Sequence, residues 1–367
     1  MTMKKMPNNP KKILYVASTA SHLQRFHQPY LQALRQSFSV HTMASGEGVD
    51  FNIRFDKSFF SLANFRSIFK IRRVLKRERF DAVILHTTLA AFLARAAMIC
   101  MRHRPHVLNV VHGYLFPYKI KGKKEKLLLF CEKLMRKKTD ELAVMNAEDL
   151  QIATENSVCL GSVRLIKGMG LPIPTELPKS DPDLRARFMR RPNDFICTFV
   201  GELSARKNQI FLIRMTARLR EEGIPVRLLL VGEGSERAFL QREISALHLS
   251  DAVFLIGDQA YVFPYLGIKD LYVSASISEG LPFNIMEAMA CKLPIVASDV
   301  KGQQDLLSDT PNALYPLDDA DAFCDAVRRV YASGRFGAGK QSYSVLEAYS
   351  LPAVFEENMK LFTIGWN

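Results

Sequence analysis

The stretch FICTFVGELSARKNQIFLIRMTARLREEGIPVRLLLVGEG, residues 195–234, decides the fold. Phe195 to Gly201 is a short apolar run of strand type, a helix follows to Glu222, and Arg227 to Gly232 is again a strand. Strand, helix and strand in that order build a parallel pair with its crossover. The same grammar continues downstream, with a helix near Glu236 to Leu247 and a strand from Val253 to Gly257. It also runs upstream: strands are predicted at Lys12–Ser18, Phe38–Met43, Ala82–Leu85 and Val107–Val111. Helices are predicted across Arg25–Gln36, Ser61–Arg79 and Leu89–Met101. Between the two series lies a Pro-rich, polar stretch from Gly168 to Asn193, which has linker composition. The prediction is therefore an α/β protein of two Rossmann-like, doubly wound parallel-sheet domains facing a central cleft, with the chemistry at the carboxyl ends of the strands.

A chain of 367 residues with 48% hydrophobic content has material for two cores. Only the tail from Met1 to Pro10 lacks residues worth burying. The six cysteines carry no Cys-x-x-Cys pair and read as reduced, mostly buried thiols. Lys4 and Lys5 precede an apolar run, Ile13 to Ala17, that is far too short for a secretory signal. Arg95 interrupts the span Leu89–Cys100, which is also shorter than the ~20 residues of a bilayer crossing. A cytoplasmic protein with no membrane span is expected.

The net charge of +13 is uneven. Residues 1–180 hold 30 basic and 13 acidic side chains, a balance of +17, whereas residues 181–367 hold 20 and 24, a balance of −4. The first half thus faces a polyanion: a nucleic acid, an anionic bilayer or a phosphorylated acceptor. Residues 119–138 mix Leu127, Leu128, Phe130, Leu134 and Met135 with nine basic and two acidic residues, and residues 66–79 are similar. Helices of this kind suit the surface of an anionic membrane, although lysines solvated over a core-facing apolar stripe would read the same way.

The chemistry is concentrated in SEGLPFNIMEAMACKLPIVAS, residues 278–298. Glu279 and Glu287 lie eight apart, separated by a Gly-Leu-Pro turn and a helix-forming run from Asn284 to Ala290. Gly280 and Pro282 can start a helix whose N-terminal N–H groups form an anion site suited to phosphate. Glu279 on the loop and Glu287 on the helix could then accept hydrogen bonds from sugar hydroxyls.

This string resembles the E-x7-E signature of glycosyltransferase family 4, retaining enzymes of GT-B architecture, and the resemblance spans nearly the whole chain. It is nearest to enzymes of bacterial capsule, exopolysaccharide and O-antigen assembly. The resemblance implies that Glu279 contacts the transferred sugar and Glu287 the ribose of the nucleotide, with Gly280, Leu281, Pro282, Phe283 and Asn284 around the donor. Residues 110–114, Val-Val-His-Gly-Tyr, resemble the family's strand-end His-Gly and imply that His112 approaches the donor sugar. His86-Thr-Thr resembles its His-Thr-Pro segment. His22, in the first strand-to-helix connection, is a further candidate on the acceptor side or at the donor phosphate. Lys207 fits the lysine that serves the diphosphate, but Glu202 occupies the place of its partner arginine, and Arg206 is the nearest substitute. Asn146 reads as a helix cap. Lys292 stands where the family has glycine, and Asp305 where glutamate is common.

The implied domains are 1–175 on the acceptor side, with a C-terminal helix at about 350–367 packing back on it, and 176–349 for the nucleotide-sugar. The implied reaction moves a sugar from a UDP-sugar to a polyprenyl-linked glycan, with the leaving phosphate assisting the acceptor hydroxyl. The resemblance implies the nucleotide-sugar as a co-substrate and no metal or other cofactor. Two rivals stay open: a nucleotide-sugar epimerase of the same architecture, and a nucleic-acid-binding protein. The second lacks any helix-turn-helix, zinc or RNA-binding signature, so nucleic acid is not an expected partner.

Overall fold

A computed structural model describes residues 10–56, 61–120, 122–177, 181–311, 313–334 and 343–363. The tail expected to be unstructured, residues 1–9, lies outside the described residues. The chain divides into two compact units, Met1–Gly170 with Leu351–Asn367, and Leu171–Ser350.

The first unit runs β1 (Lys12–Thr19), α1 (Ala20–Phe26), α2 (Gln28–Arg35), β2 (Ser39–Ser45), β3 (Phe51–Asn52), α3 (Leu62–Glu78), β4 (Ala82–His86) and α4 (Thr88–Ala97). It continues through β5 (His106–Val111), α5 (Lys123–Met135), β6 (Glu141–Val144), α6 (Ala147–Glu155) and β7 (Ser162–Leu165). Among the described residues these strands form a seven-stranded parallel sheet of order β3-β2-β1-β4-β5-β6-β7. The order reverses between β1 and β4, the switch point at which such sheets open a crevice beyond their strand ends. β1 and β4 are almost entirely buried, as expected of strands covered by helices on both faces.

The helix predicted across Arg25–Gln36 is two helices that meet at His27. Pro29, in the first turn of α2, has no N–H to continue the preceding helix and instead starts a new one. The connection before it is itself helical, with Thr19 accepting from the His22 N–H as its cap. Arg95 is buried on α4 and meets Glu132 of α5 through two 3.0 Å hydrogen bonds, so the charge that breaks the apolar run is neutralised inside the unit.

The second unit contains α7 (Pro182–Ala186), β8 (Phe195–Val200), α8 (Gln209–Glu221), β9 (Val226–Val231), α9 (Arg237–Ala246), β10 (Val253–Gly257) and α10 (Phe263–Gly267). β11 (Leu271–Ser274), α11 (Phe283–Ala290), β12 (Ile295–Ser298), α12 (Gln303–Leu307), β13 (Leu314–Tyr315) and α13 (Ala320–Ala332) follow. Among the described residues its strands form a six-stranded sheet of order β10-β9-β8-β11-β12-β13, again with a reversal, between β8 and β11. The loops that leave β11 and β12 come together with little room. A Cβ at Gly302 would lie 2.4 Å from the Gly280 carbonyl, and Gly302 has φ +75°, so only glycine fits there. Lys292 adopts φ +54°, the conformation for which glycine is normal, at a cost of about 1 kcal/mol.

α14 (Leu351–Thr363) belongs to the first unit. Phe355 stacks on Tyr30 with 5.1 Å between ring centroids, and the Asn358 amide donates to Tyr30 Oη at 3.0 Å and to the Gly168 carbonyl at 2.9 Å. Five cysteines are buried, Cys100 is exposed, and all six are free. No helix among the described residues is long and apolar enough to cross a membrane.

Candidate functional site

In the second unit the candidate residues collect on the loops that follow β8 and β11. Glu279 lies on the loop ahead of α11 and is 7% exposed. Its Oε1 accepts from Lys207 Nζ at 2.5 Å and its Oε2 from Arg206 Nη1 at 3.0 Å. Arg206 also donates to the Ser278 carbonyl at 2.8 Å. Burial pulls the Glu279 pKa upward, but Lys207, Arg206 and the Ser276 hydroxyl outweigh it and hold the carboxylate ionised below its ordinary range. The family resemblance implied Glu279 at the sugar and Lys207 at the diphosphate, with Arg206 as the nearest substitute for the missing arginine; the structure brings all three into one ionic cluster.

Glu202 is exposed, and its carbonyl accepts from Gln209 at 2.7 Å. α11 follows Pro282, which offers no capping side chain, and in its first turn the Ile285 N–H donates to Asn284 Oδ1 at 3.0 Å, so the positive end of the helix is partly capped from within. Leu281 and Pro282 are buried and Phe283 half-buried beside it. The Asn284 side chain turns inward, donating to the Val200 carbonyl at 2.6 Å and tying α11 to the end of β8. Below the loop a buried polar set, Ser274, Ser276, Ser298 and Gln303, is cross-linked by hydrogen bonds of 2.6 to 3.3 Å.

Glu287 lies half-buried on α11. Near it is Lys269, which sequence reading missed. Lys269 is fully buried, and its Nζ has no hydrogen-bond partner among the described residues. Burial drives the amine well below its ordinary pKa against the opposing pull of Cys291 and Glu287. Nothing in the local pattern distinguishes this lysine from a solvated one.

In the first unit four histidines gather at the carboxyl ends of β1, β4 and β5. His86 ends β4, His112 follows β5, His22 lies on α1 and His27 sits at the junction of α1 and α2. His86 Nδ1 and His112 Nε2 are 2.9 Å apart, and His27 Nδ1 is 2.8 Å from Tyr15 Oη. His27 and His86 are fully buried and His22 and His112 half-buried. Burial lowers every ring's pKa: His22 is pushed down to about 4, and the other three fall well below their ordinary value. The cluster is therefore uncharged at neutral pH. His27 was not a sequence candidate, although the His-x4-His spacing about one short helix was the available signal. His22, His27 and His112 each offer a ring nitrogen, and these atoms lie within 4.8 Å of one another.

Known proteins match both units. Residues 15–160 match the model of a glycosyl transferase 4-like domain, and residues 180–342 that of glycosyl transferases group 1. The putative glycosyltransferase EpsD of Bacillus subtilis is 31% identical over 333 residues, covering 88% of this chain and 87% of that protein. The Escherichia coli UDP-Gal:alpha-D-GlcNAc-diphosphoundecaprenol alpha-1,3-galactosyltransferase is 27% identical over 280 residues, 73% of this chain and 71% of that one. Among solved structures, Anabaena HepE in complex with UDP-glucose superposes with a TM-score of 0.72 at 16% identity, over 96% of this chain and 99% of that one. Two parallel-sheet units, the loop cluster ahead of α11 and this full-length similarity lead to one assignment: the chain belongs to glycosyltransferase family 4, has the GT-B fold and is a glycosyltransferase.

Proposed function

We propose that the chain moves a sugar from a UDP-sugar to a polyprenyl-linked glycan, with retention at the anomeric carbon, during assembly of a surface polysaccharide. The observation that carries this reading is the Glu279–Lys207–Arg206 cluster beside the N-terminus of α11. Transfer leaves negative charge on the departing diphosphate and positive charge on the anomeric carbon, and the cluster holds fixed charges of both signs. Lys207 and Arg206, with the α11 N-terminus at Gly280 to Asn284, serve the diphosphate. Glu279, kept ionised, binds the sugar and stabilises its developing positive charge. Glu287 binds the ribose. His112 approaches the donor sugar, and His22 and His86 lie on the acceptor side. The first unit thus serves the acceptor and the second the nucleotide-sugar. The diphosphate needs no divalent ion, and its leaving oxygen takes the acceptor proton on the same face of the sugar. The E. coli relative's name, with its UDP-Gal donor and diphosphoundecaprenol acceptor, supports both substrate classes.

A cytoplasmic enzyme resting on the inner face of an anionic membrane completes the reading. α3 exposes Leu62, Phe65 and Phe69, and α5 exposes Leu127, Phe130 and Leu134, each at i, i+3 and i+7 or its near equivalent, and both helices pack on α4. Exposed lysines and arginines alternate with these side chains, including Arg66, Lys70, Lys124 and Lys126. Apolar side chains exposed among cations suit an anionic lipid surface, where each nearby charge contributes about 1 kcal/mol.

Incubating the protein with a panel of UDP-sugars and a polyprenyl-diphosphate glycan, and reading the product anomer by NMR, tests the reaction. Retention with one UDP-sugar is expected. Inversion, or consumption of donor at the same rate without acceptor, overturns it. Phe65→Ser with Phe130→Ser is expected to release the protein from sedimented anionic liposomes, and unchanged sedimentation defeats the membrane contact.

A further inference from the structure

We propose that His22, His27 and His112 form a binding site for one divalent transition-metal ion of the zinc class. Three imidazole nitrogens within 4.8 Å of one another stand close to the spacing a tetrahedral site needs. With metal–nitrogen bonds of about 2.0–2.1 Å, such ligands sit roughly 3.3–3.4 Å apart, so small ring rotations close the gap. Imidazole selects zinc, copper, cobalt or nickel over magnesium and calcium, which take oxygen ligands.

The second observation is the set of bare nitrogens. His22 Nε2, His27 Nε2 and His86 Nε2 are buried and have no hydrogen-bond partner among the described residues. An unpaired buried polar atom is costly, and three in one cluster mark a place shaped for something that pairs with them. The rings are also held from behind. Tyr15 Oη lies 2.8 Å from His27 Nδ1, and a proton on that nitrogen leaves the Nε2 lone pair for an ion. His86 Nδ1 lies 2.9 Å from His112 Nε2, and a proton on that His112 nitrogen leaves the Nδ1 lone pair for an ion. Such partners orient ligands in metal sites generally. Three protein ligands leave a fourth position, and the half-buried His22 and His112 give water or an anion access to it.

The full chain, stripped with chelator and titrated with Co2+, should develop the visible absorption of a tetrahedral ion at one equivalent, and Zn2+ should abolish it. His22→Gln should weaken binding by at least about 100-fold, beyond the roughly 10–100-fold typical of losing an orienting partner, while Tyr15→Phe should fall within that smaller range. His248→Gln, at an exposed residue of the other unit, should bind like the parent. Because His27 is buried and its variant can fail to fold, the half-buried His22 and His112 carry the test, with circular dichroism reporting the fold. Absence of the band overturns the proposal, as does a band that survives in both His22→Gln and His112→Gln, or thiolate charge-transfer absorption in its place. If His112 also approaches the donor sugar, Zn2+ should inhibit transfer and chelator relieve it. That consequence rests on the role proposed for His112 above, whereas the titration does not, so either can fail without the other.

Discussion

Each unit places its polar cluster where its strand order reverses, yet the two clusters are opposites. In the second unit full charges are paired: Glu279 is flanked by Lys207 and Arg206, which leaves one positive charge in excess, and each oxygen of the carboxylate has a partner. In the first unit, neutral rings leave nitrogens without a hydrogen-bond partner among the described residues. A buried ion must stay paired, because an isolated one costs several kcal/mol, so the ionic cluster has to be complete before any ligand arrives. A neutral imidazole left unpaired costs far less, so the histidine cluster can wait for its ligand. The ionic site is preorganised for charge and the histidine site is held in reserve.

The largest expected effect tests the ionic side. Lys207→Ala should lower turnover by ~100-fold or more, the scale on which one preorganised charge stabiliser is felt. Because Lys207 is buried against Glu279, the same change should also destabilise the fold, by about 3–5 kcal/mol. Adding Glu279→Gln should restore much of the stability while leaving turnover low, a separation that equilibrium unfolding and initial rates read independently. Glu202→Ala, at an exposed side chain, should be mild in both. A reversed ranking of Lys207 and Glu202 would place the phosphates elsewhere.

The second comparison divides the glutamates. Glu287→Ala should weaken free nucleoside diphosphate by ~1–3 kcal/mol, the cost of losing a charged acceptor, whereas Glu279→Ala should leave that affinity nearly unchanged and lower transfer. Calorimetric titration with nucleoside diphosphate beside initial rates with intact donor decides it. If both variants bind and transfer like the parent, the assigned roles of the two glutamates fail.

The members of the ionic cluster were legible on two different grounds. Arg206 and Lys207 sit one short loop beyond β8, whose apolar run Phe195–Gly201 is read directly, whereas Glu279 was marked by its resemblance to a family signature, the short strand β11 ahead of it not having been predicted. That the three form one ion cluster was not legible, because β8 and β11 are neighbours only through the sheet order. The break at His27 was also missed: apolar spacing runs through Phe26, Tyr30 and Leu31, and the Pro29 that restarts the helix does not disturb it. Lys269 left no trace, since burial of a lysine is set by what packs around it.

Acid separates the two clusters by pH window. His22 has a folded pKa of about 4 against its ordinary 6.5, so the unfolded chain binds the extra proton. Its stabilisation is present above pH 6.5 and is lost as the pH falls toward 4, with His27, His86 and His112 adding in the same direction. Glu279 has its folded pKa below the ordinary 4.5, so its share is present above 4.5 and is lost only at lower pH. Melting temperatures should therefore decline first in the histidine window, where each group contributes a slope of up to about 1.4 kcal/mol per pH unit. His22→Gln should flatten that decline and Glu279→Gln should not. Equal flattening by both would remove the contrast between the clusters.

The smallest expected effect is no change at all, and it bears on both clusters together. If Lys207, Arg206 and the α11 N-terminus neutralise the departing diphosphate, transfer has no need of magnesium or manganese, and turnover in excess chelator should equal turnover without it. The histidine site makes the same experiment sharper. A preparation carrying zinc-class metal at His22, His27 and His112 should speed up when chelator is added, and then match a preparation that was stripped first. The measurement is the initial rate of both preparations across a chelator series, followed by re-addition of Mg2+, Mn2+ or Zn2+ singly. Complete loss of transfer in chelator, restored by Mg2+ or Mn2+, would show that the ionic cluster does not suffice for the diphosphate. Loss restored by Zn2+ alone would make the histidine site a requirement of the reaction and reverse its place in the comparison.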